Sequence, residues 1–133
     1  MPAFKSLIPN LWVADINRSV AFYTQRLGFS RAMSVPETAP YVWVRLSRNG
    51  VEIDLNDPAT AAQDYPSLLG KPLGATAVLF ITMDGVHAFH EALKADVRIV
   101  MPLITQPYGM TEFAIEDPDG YIITFAEYAR SPG

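Results

Sequence analysis

The sequence predicts an α+β fold: two βαβββ modules in tandem, each a curved mixed sheet with its helix outside. Three observations carry this reading. The stretch from Tyr108 to Glu127, YGMTEFAIEDPDGYIITFAE, holds two apolar-rich runs around Asp117-Pro118-Asp119-Gly120. Pro118 fixes φ, Asp117 accepts backbone hydrogen bonds and Gly120 tolerates positive φ, so the stretch reads as a hairpin. Earlier in the chain, YVWVRLS and VEIDLND flank Arg48-Asn49-Gly50, an Asn-Gly hairpin turn. Gly50 lines up with Gly120, so that Val51–Leu55 matches Tyr121–Phe125 and one module is used twice. Finally, a strand, a helix and a strand precede each hairpin.

In chain order, Leu7 to Val13 reads as the first strand, with Leu7, Pro9, Leu11 and Val13 on one face and Ile8, Asn10 and Trp12 on the other. Pro9 donates no ladder hydrogen bond and marks an edge or a crossing point. Asp15 or Asn17 caps the helix that follows, and Gly28 suits its C′ position. Ile16, Val20, Tyr23 and Leu27 recur at helical spacing and form its buried face. Ser30 to Val35 is the second strand, followed by a proline-containing turn from Pro36 to Pro40. Tyr41–Ser47 and Val51–Asn56 form the first hairpin. In its second arm Val51, Ile53 and Leu55 face the helix, leaving Glu52, Asp54 and Asn56 for water or a ligand. Asp57 to Gly74 carries three prolines and two glycines and reads as a linker. The organisation expected is one domain of two modules, 1–56 and 75–133, joined by the linker 57–74.

The second module repeats the first. Ala75 to Thr82 is a strand, and Asp84 falls where Asp15 did. A helix runs from about Val86 to Ala95 with Val86, Phe89 and Leu93 apolar, and Arg98 to Thr105 is a strand leading into the final hairpin. Neither module alone covers both faces of its sheet. The two strand sets are therefore expected to curve together around a concave face.

Composition narrows the function. Of 133 residues, half are hydrophobic and 18% are charged, enough for a packed core. The net charge of −4 and the lack of a basic stripe argue against nucleic acid as a partner, while admitting a cationic ligand. Without cysteine there is no disulfide, thiolate ligand or cysteine nucleophile. No apolar run approaches the roughly 18 residues of a membrane span, and no signal sequence opens the chain. A soluble cytoplasmic protein is expected, with no membrane partner.

The runs IPNLWVADINRSVAFYTQRLGFSR and QPYGMTEFAIEDPDGYIITFAE, with the Asn-Gly hairpin between them, resemble the vicinal oxygen chelate superfamily, which includes glyoxalase I, extradiol dioxygenases and bleomycin-resistance proteins. The nearest look is to the bleomycin-resistance branch. This resemblance implies paired βαβββ modules and a homodimer with ligand sites at the subunit interface. Metal-dependent members place one ligand on the first and fourth strand of each module. Those positions fall here at Ile8, Asp54, Ala77 or Val78, and Thr124, of which only Asp54 is a strong donor. A divalent metal wants several converging His, Asp or Glu groups, so no metal and no cofactor is expected. His87 and His90 are helical neighbours, but Glu91 and Lys94 share their side, so both histidines are expected to face water.

By strand alternation, the concave face receives Ile8, Asn10, Trp12, Trp43, Arg45, Ser47, Glu52, Asp54 and Asn56 from the first module. From the second it receives Val78, Phe80, Thr82, Phe113 and Thr124. The candidate ligand-binding set is Asn10, Trp12, Trp43, Arg45, Glu52, Asp54, Phe80, Tyr108, Phe113 and Thr124. Rings with a few polar groups suit a flat organic molecule. In bleomycin-binding relatives an aromatic at the place of Tyr108 stacks on the drug, whereas their second aromatic has no counterpart at Met33 and Ser34. Arg45 is expected to pair with Glu52 or Asp54 across the hairpin. The function expected is metal-independent binding and sequestration of a planar small molecule, cationic ones included, with no catalytic residue assigned. The alternative is a glyoxalase- or dioxygenase-type metalloenzyme using Glu52 or Asp54, with Glu127.

Overall fold

The computed structural model describes residues 2–129. The chain divides between Lys71 and Pro72 into two compact units. In the first unit, β1 (Asn10–Trp12), β2 (Ser30–Val35), β3 (Trp43–Arg48) and β4 (Val51–Asn56) form a sheet of order β1-β4-β3-β2. In the second, β5 (Val78–Thr82), β6 (Arg98–Thr105), β7 (Met110–Glu116) and β8 (Ile122–Tyr128) repeat that order as β5-β8-β7-β6. The edge strand of each unit, β1 or β5, runs parallel to its neighbour, and the remaining pairs are antiparallel. Each unit is therefore a mixed βαβββ sheet.

β1 is shorter than the expected Leu7–Val13. Pro9 contributes only its carbonyl, which accepts from Asp54 N at 3.0 Å, and Leu7 is left exposed. The helix α1 (Ile16–Ala21) begins at Asp15, whose carboxylate accepts from Arg18 N at 3.1 Å, which decides between the two candidate caps. A π-helical turn, Phe22–Arg26, follows directly and takes in an extra residue. The apolar stripe consequently slips. Tyr23 and Leu27 are buried as expected, Ile16 and Val20 are only half-buried, and Ser19 is buried as well. Gly28 stops the helix with φ +73°, and the Arg48 guanidinium lies beside it while donating to the Leu27 carbonyl. Leu11, Val44, Leu46, Ile53 and Leu55 form the buried face of this sheet.

The expected linker contains helix. Asp57 accepts from Thr60 N and Thr60 Oγ1, both at 3.1 Å, and Pro58 sits at the first helical position of α2 (Pro58–Ala61). A 3₁₀ turn, Pro66–Leu68, comes next.

In the second unit α3 (Val86–Leu93) does not start as α1 does. Asp84 makes no cap. The cap residue is Gly85 at φ +83°, and the Glu127 carboxylate, reaching over from β8, accepts from Gly85 N at 2.9 Å and Val86 N at 3.1 Å. Phe89 packs edge-on to Phe125 at 4.9 Å, and Phe113 lies 5.4 Å from Phe125, so these rings form the heart of the second core.

The two hairpins differ in one consequential respect. Arg48 pairs with Val51 across Asn49 and Gly50, both at positive φ, a two-residue turn. Glu116 pairs with Ile122 across a five-residue loop, 117–121, in which Asp117 Oδ1 accepts from Asp119 N and Tyr121 N at 2.9 Å each. An even loop and an odd loop place the preceding strand in opposite phase relative to the following one. Among the described residues no helix is long and apolar enough to cross a membrane.

Candidate functional site

In the first unit, the sheet face away from the core gathers six of the candidate residues in rows set by register. Trp12, Asn56 and Trp43 stand side by side across β1, β4 and β3; Asn10, Asp54 and Arg45 form the next row, and Glu52 pairs with Ser47 beyond it. Met33 stands opposite Arg45 on β2 and is exposed, so a thioether borders this face. Trp12 is only 9% exposed, whereas Trp43 is half-buried with the Arg45 guanidinium 5.2 Å from its ring centroid.

The polar groups on this face are largely committed to one another. Arg45 grips Asp54 with Nε at 2.8 Å and Nη2 at 3.0 Å, a bidentate pair, and Glu52 lies 3.7 Å from the same Nε. The hydrogen bond to Asp54 holds the Arg45 pKa above its ordinary value, against the opposing effect of desolvation. Asn56 Nδ2 donates to Asn10 Oδ1 at 3.0 Å. What the face offers a ligand is the Trp43 ring, the half-exposed Glu52 and the outer edge of the guanidinium.

In the second unit, Phe80, Thr124 and Ala114 share a row, and Thr82, Ala126 and Glu112 share the next. Phe80 is 51% exposed and Thr124 is buried. Phe113 is not on this face, which corrects the expected set. It is fully buried among Phe89, His90 and Phe125, because the five-residue loop shifts β7 by one residue relative to β3. The same shift places Glu112, absent from the expected set, where Trp43 stands in the first unit. The odd length of the loop was the signal that could have found it.

Glu112 is 4% exposed. Its Oε1 accepts from Tyr108 Oη at 2.6 Å and from Gln106 Nε2 at 3.2 Å. Tyr108 is thereby tied to the sheet by its hydroxyl while 60% of the residue stays exposed. The hydrogen bond to Glu112 is the main cause of a raised Tyr108 pKa, with burial and the Glu112 charge adding to it.

The histidines part ways. His87 is exposed as expected, but His90 turns its ring edge-on to Phe113 at 5.1 Å and buries Nδ1 without a partner. A groove at the start of α3, lined by Thr82, Asp84, His87, Thr111, Glu127 and Tyr128, is polar. Its most useful carboxylate, Glu127, is taken up by the helix cap.

These donors do not fit a divalent metal. Asp54 spends both oxygens on Arg45, Ile8 precedes β1, and Phe80 and Asn10 stand opposite Thr124 and Asp54 on the two parallel edge strands. No three His, Asp or Glu groups among the described residues come together in a way that could hold a metal ion.

The topology defines a tandem βαβββ protein in which each unit keeps one sheet face open. Residues 7–125 match the model of the glyoxalase/bleomycin resistance protein/dioxygenase superfamily, and the chain belongs to that superfamily. Bleomycin resistance proteins of Geobacillus stearothermophilus and Staphylococcus aureus are 27% identical over 137 residues, spanning 93% of this chain and 97% of theirs. Among solved structures, a glyoxalase/bleomycin resistance protein/dioxygenase from Nocardioides superposes with a TM-score of 0.79 at 20% identity, covering all of this chain and 90% of its own. TnmS3, an antibiotic binding protein from Streptomyces sp. CB03234, gives 0.75 at 20% identity, covering 97% of this chain and 99% of its own.

Proposed function

We propose that this protein binds and sequesters a planar small molecule, cationic aromatic antibiotics included, without a metal and without turnover. The carrying observation is the first unit's open face, where Trp43 presents a half-exposed ring fixed beneath the Arg45 guanidinium in one row with Trp12. A ring held in place by its neighbours loses little freedom when a flat ligand stacks on it. Phe80 and Tyr108 give the second unit's open face the same character. The likeness to bleomycin resistance proteins and the superposition on an antibiotic binding protein support this reading. We further propose that the protein acts as a cytoplasmic homodimer.

The alternative metalloenzyme needs Glu52 or Asp54, together with Glu127, to hold the ion. Asp54 is gripped by Arg45, which also lies 3.7 Å from Glu52, and Glu127 is held by the α3 cap.

The deciding experiment is isothermal titration with bleomycin and a panel of flat cationic aromatics, read alongside tryptophan quenching. Saturable binding that weakens in Trp43→Ala is the expected result. Heats that never exceed dilution for any compound would dispose of the reading.

A further inference from the structure

Building on that reading, we propose that Glu112 reads the charge of the ligand. Its Oε2 takes an N–H donor from a protonated, delocalised nitrogen group, an amidinium or aminoheteroaryl cation, on a flat ring that stacks against Tyr108. Strand register puts Glu112 on the open face of its sheet, between Ala126 on β8 and Ile104 on β6. Both of its hydrogen bonds, from Tyr108 and from Gln106, go to Oε1. Oε2 is buried and has no partner. Among the described residues no lysine, arginine or histidine pairs with this carboxylate.

A carboxylate at 4% exposure with one oxygen lacking a donor is costly for a fold to keep. It caps no helix, and its Oε1 braces the turn between β6 and β7 through Gln106 and Tyr108. What it does is pin the hydroxyl of an exposed ring, which leaves that ring oriented for stacking. The two oxygens thus divide the work: Oε1 positions the ring and Oε2 remains for the ligand. A donor that also brings positive charge is favoured over a neutral one, because the carboxylate has no counter-ion and charge-assisted bonds are the stronger kind. Tyr108 and Gln106 belong to the turn between β6 and β7, where Gly109 N donates to the Gln106 carbonyl at 3.0 Å.

The test uses two probes of one shape, 2-phenylindole-6-carboxamidine and its neutral carboxamide, titrated calorimetrically into the full chain. The amidine should bind about tenfold more tightly than the amide, as one charge-assisted hydrogen bond implies. Glu112→Gln should bring the ratio to about one, with little change for the amide. Tyr108→Phe keeps the ring but strips a donor from Oε1, so the preference for the cation should rise. It also decides the matter if Glu112→Gln loses its cooperative melt. A ratio that is the same in wild type and Glu112→Gln, or one that falls in Tyr108→Phe, overturns this inference and leaves ligand binding intact. Failure of both probes to bind the wild type overturns it together with the binding reading beneath it.

Discussion

At the residue scale, the two members of the Arg45–Asp54 pair are not equivalent. The Asp54 side chain is 4% exposed and that of Arg45 is 29% exposed. Removing Arg45 strands a buried negative charge, whereas removing Asp54 leaves a guanidinium that still reaches Glu52 and solvent. Arg45→Met should therefore lower the urea midpoint more than Asp54→Asn. A midpoint that falls no further in Arg45→Met than in Asp54→Asn would count against this account. At alkaline pH the residue to watch is Tyr108. Its pKa is raised by the bond to Glu112, so the stability it contributes is whole below the ordinary tyrosine value of about 10. That contribution disappears as pH climbs through the higher folded-state value. Tyr108→Phe should flatten this alkaline decline, and identical pH–stability curves for the two proteins would show that the bond contributes nothing.

At the scale of elements, caps and turns decide more than propensity does. Gly28 sits at φ +73°, and a Cβ there would come 2.7 Å from Arg48 Nη1. Gly28→Ala should cost about 1–2 kcal/mol for the left-handed backbone alone. Dislodging Arg48 from the Leu27 carbonyl adds to this, and urea unfolding reads the total. At the start of α3, Glu127→Ala should cost about 1 kcal/mol, as for the loss of other helix caps, while Asp84→Ala should be close to neutral. If Asp84→Ala proved the worse of the two, the cap would be misassigned. These elements also show what could be read from the chain. Ser30–Val35, Val51–Asn56 and Arg98–Thr105 are strands with the expected ends, since alternation and turn residues bound them locally. The cap on α3 was hidden because Glu127 comes from a strand some forty positions away, and no local pattern announces a long-range partner. The face of Phe113 is hidden for a different reason. The repeat runs in step from Gly50 and Gly120 through the strands after the turns, but the strands before them are out of step by one. The candidate set of the first unit, where the turn is the short Asn-Gly type, shares one face throughout.

At the scale of the whole molecule, the question is what covers the apolar groups that one chain leaves in water. Phe4 and Leu7 are almost fully exposed in the segment before β1, and Val78 and Phe80 are 60% and 51% exposed on the edge strand β5. Tyr128 adds a further ring at 72% exposure. Contiguous exposed apolar groups mark association surfaces, and an edge strand such as β5, with Val78 and Phe80 both exposed, is open to a partner. A net charge of −4 on 133 residues is too small to hold copies apart at physiological ionic strength. A homodimer that covers these groups should therefore sediment at twice the 14.7 kDa of one chain. Phe4→Asp combined with Leu7→Asp should drive it toward monomer, because burying either carboxylate in an apolar interface is costly. Neither residue belongs to the candidate ligand set, so titrating the doubly substituted protein with the amidine probe separates two arrangements. Affinity lost along with the dimer means that the second copy completes the site, and affinity retained by the monomer means that each chain binds alone. A wild-type protein that sediments as a monomer well above micromolar concentration would remove self-association from the account and leave Phe80 and Tyr108 for the ligand to cover.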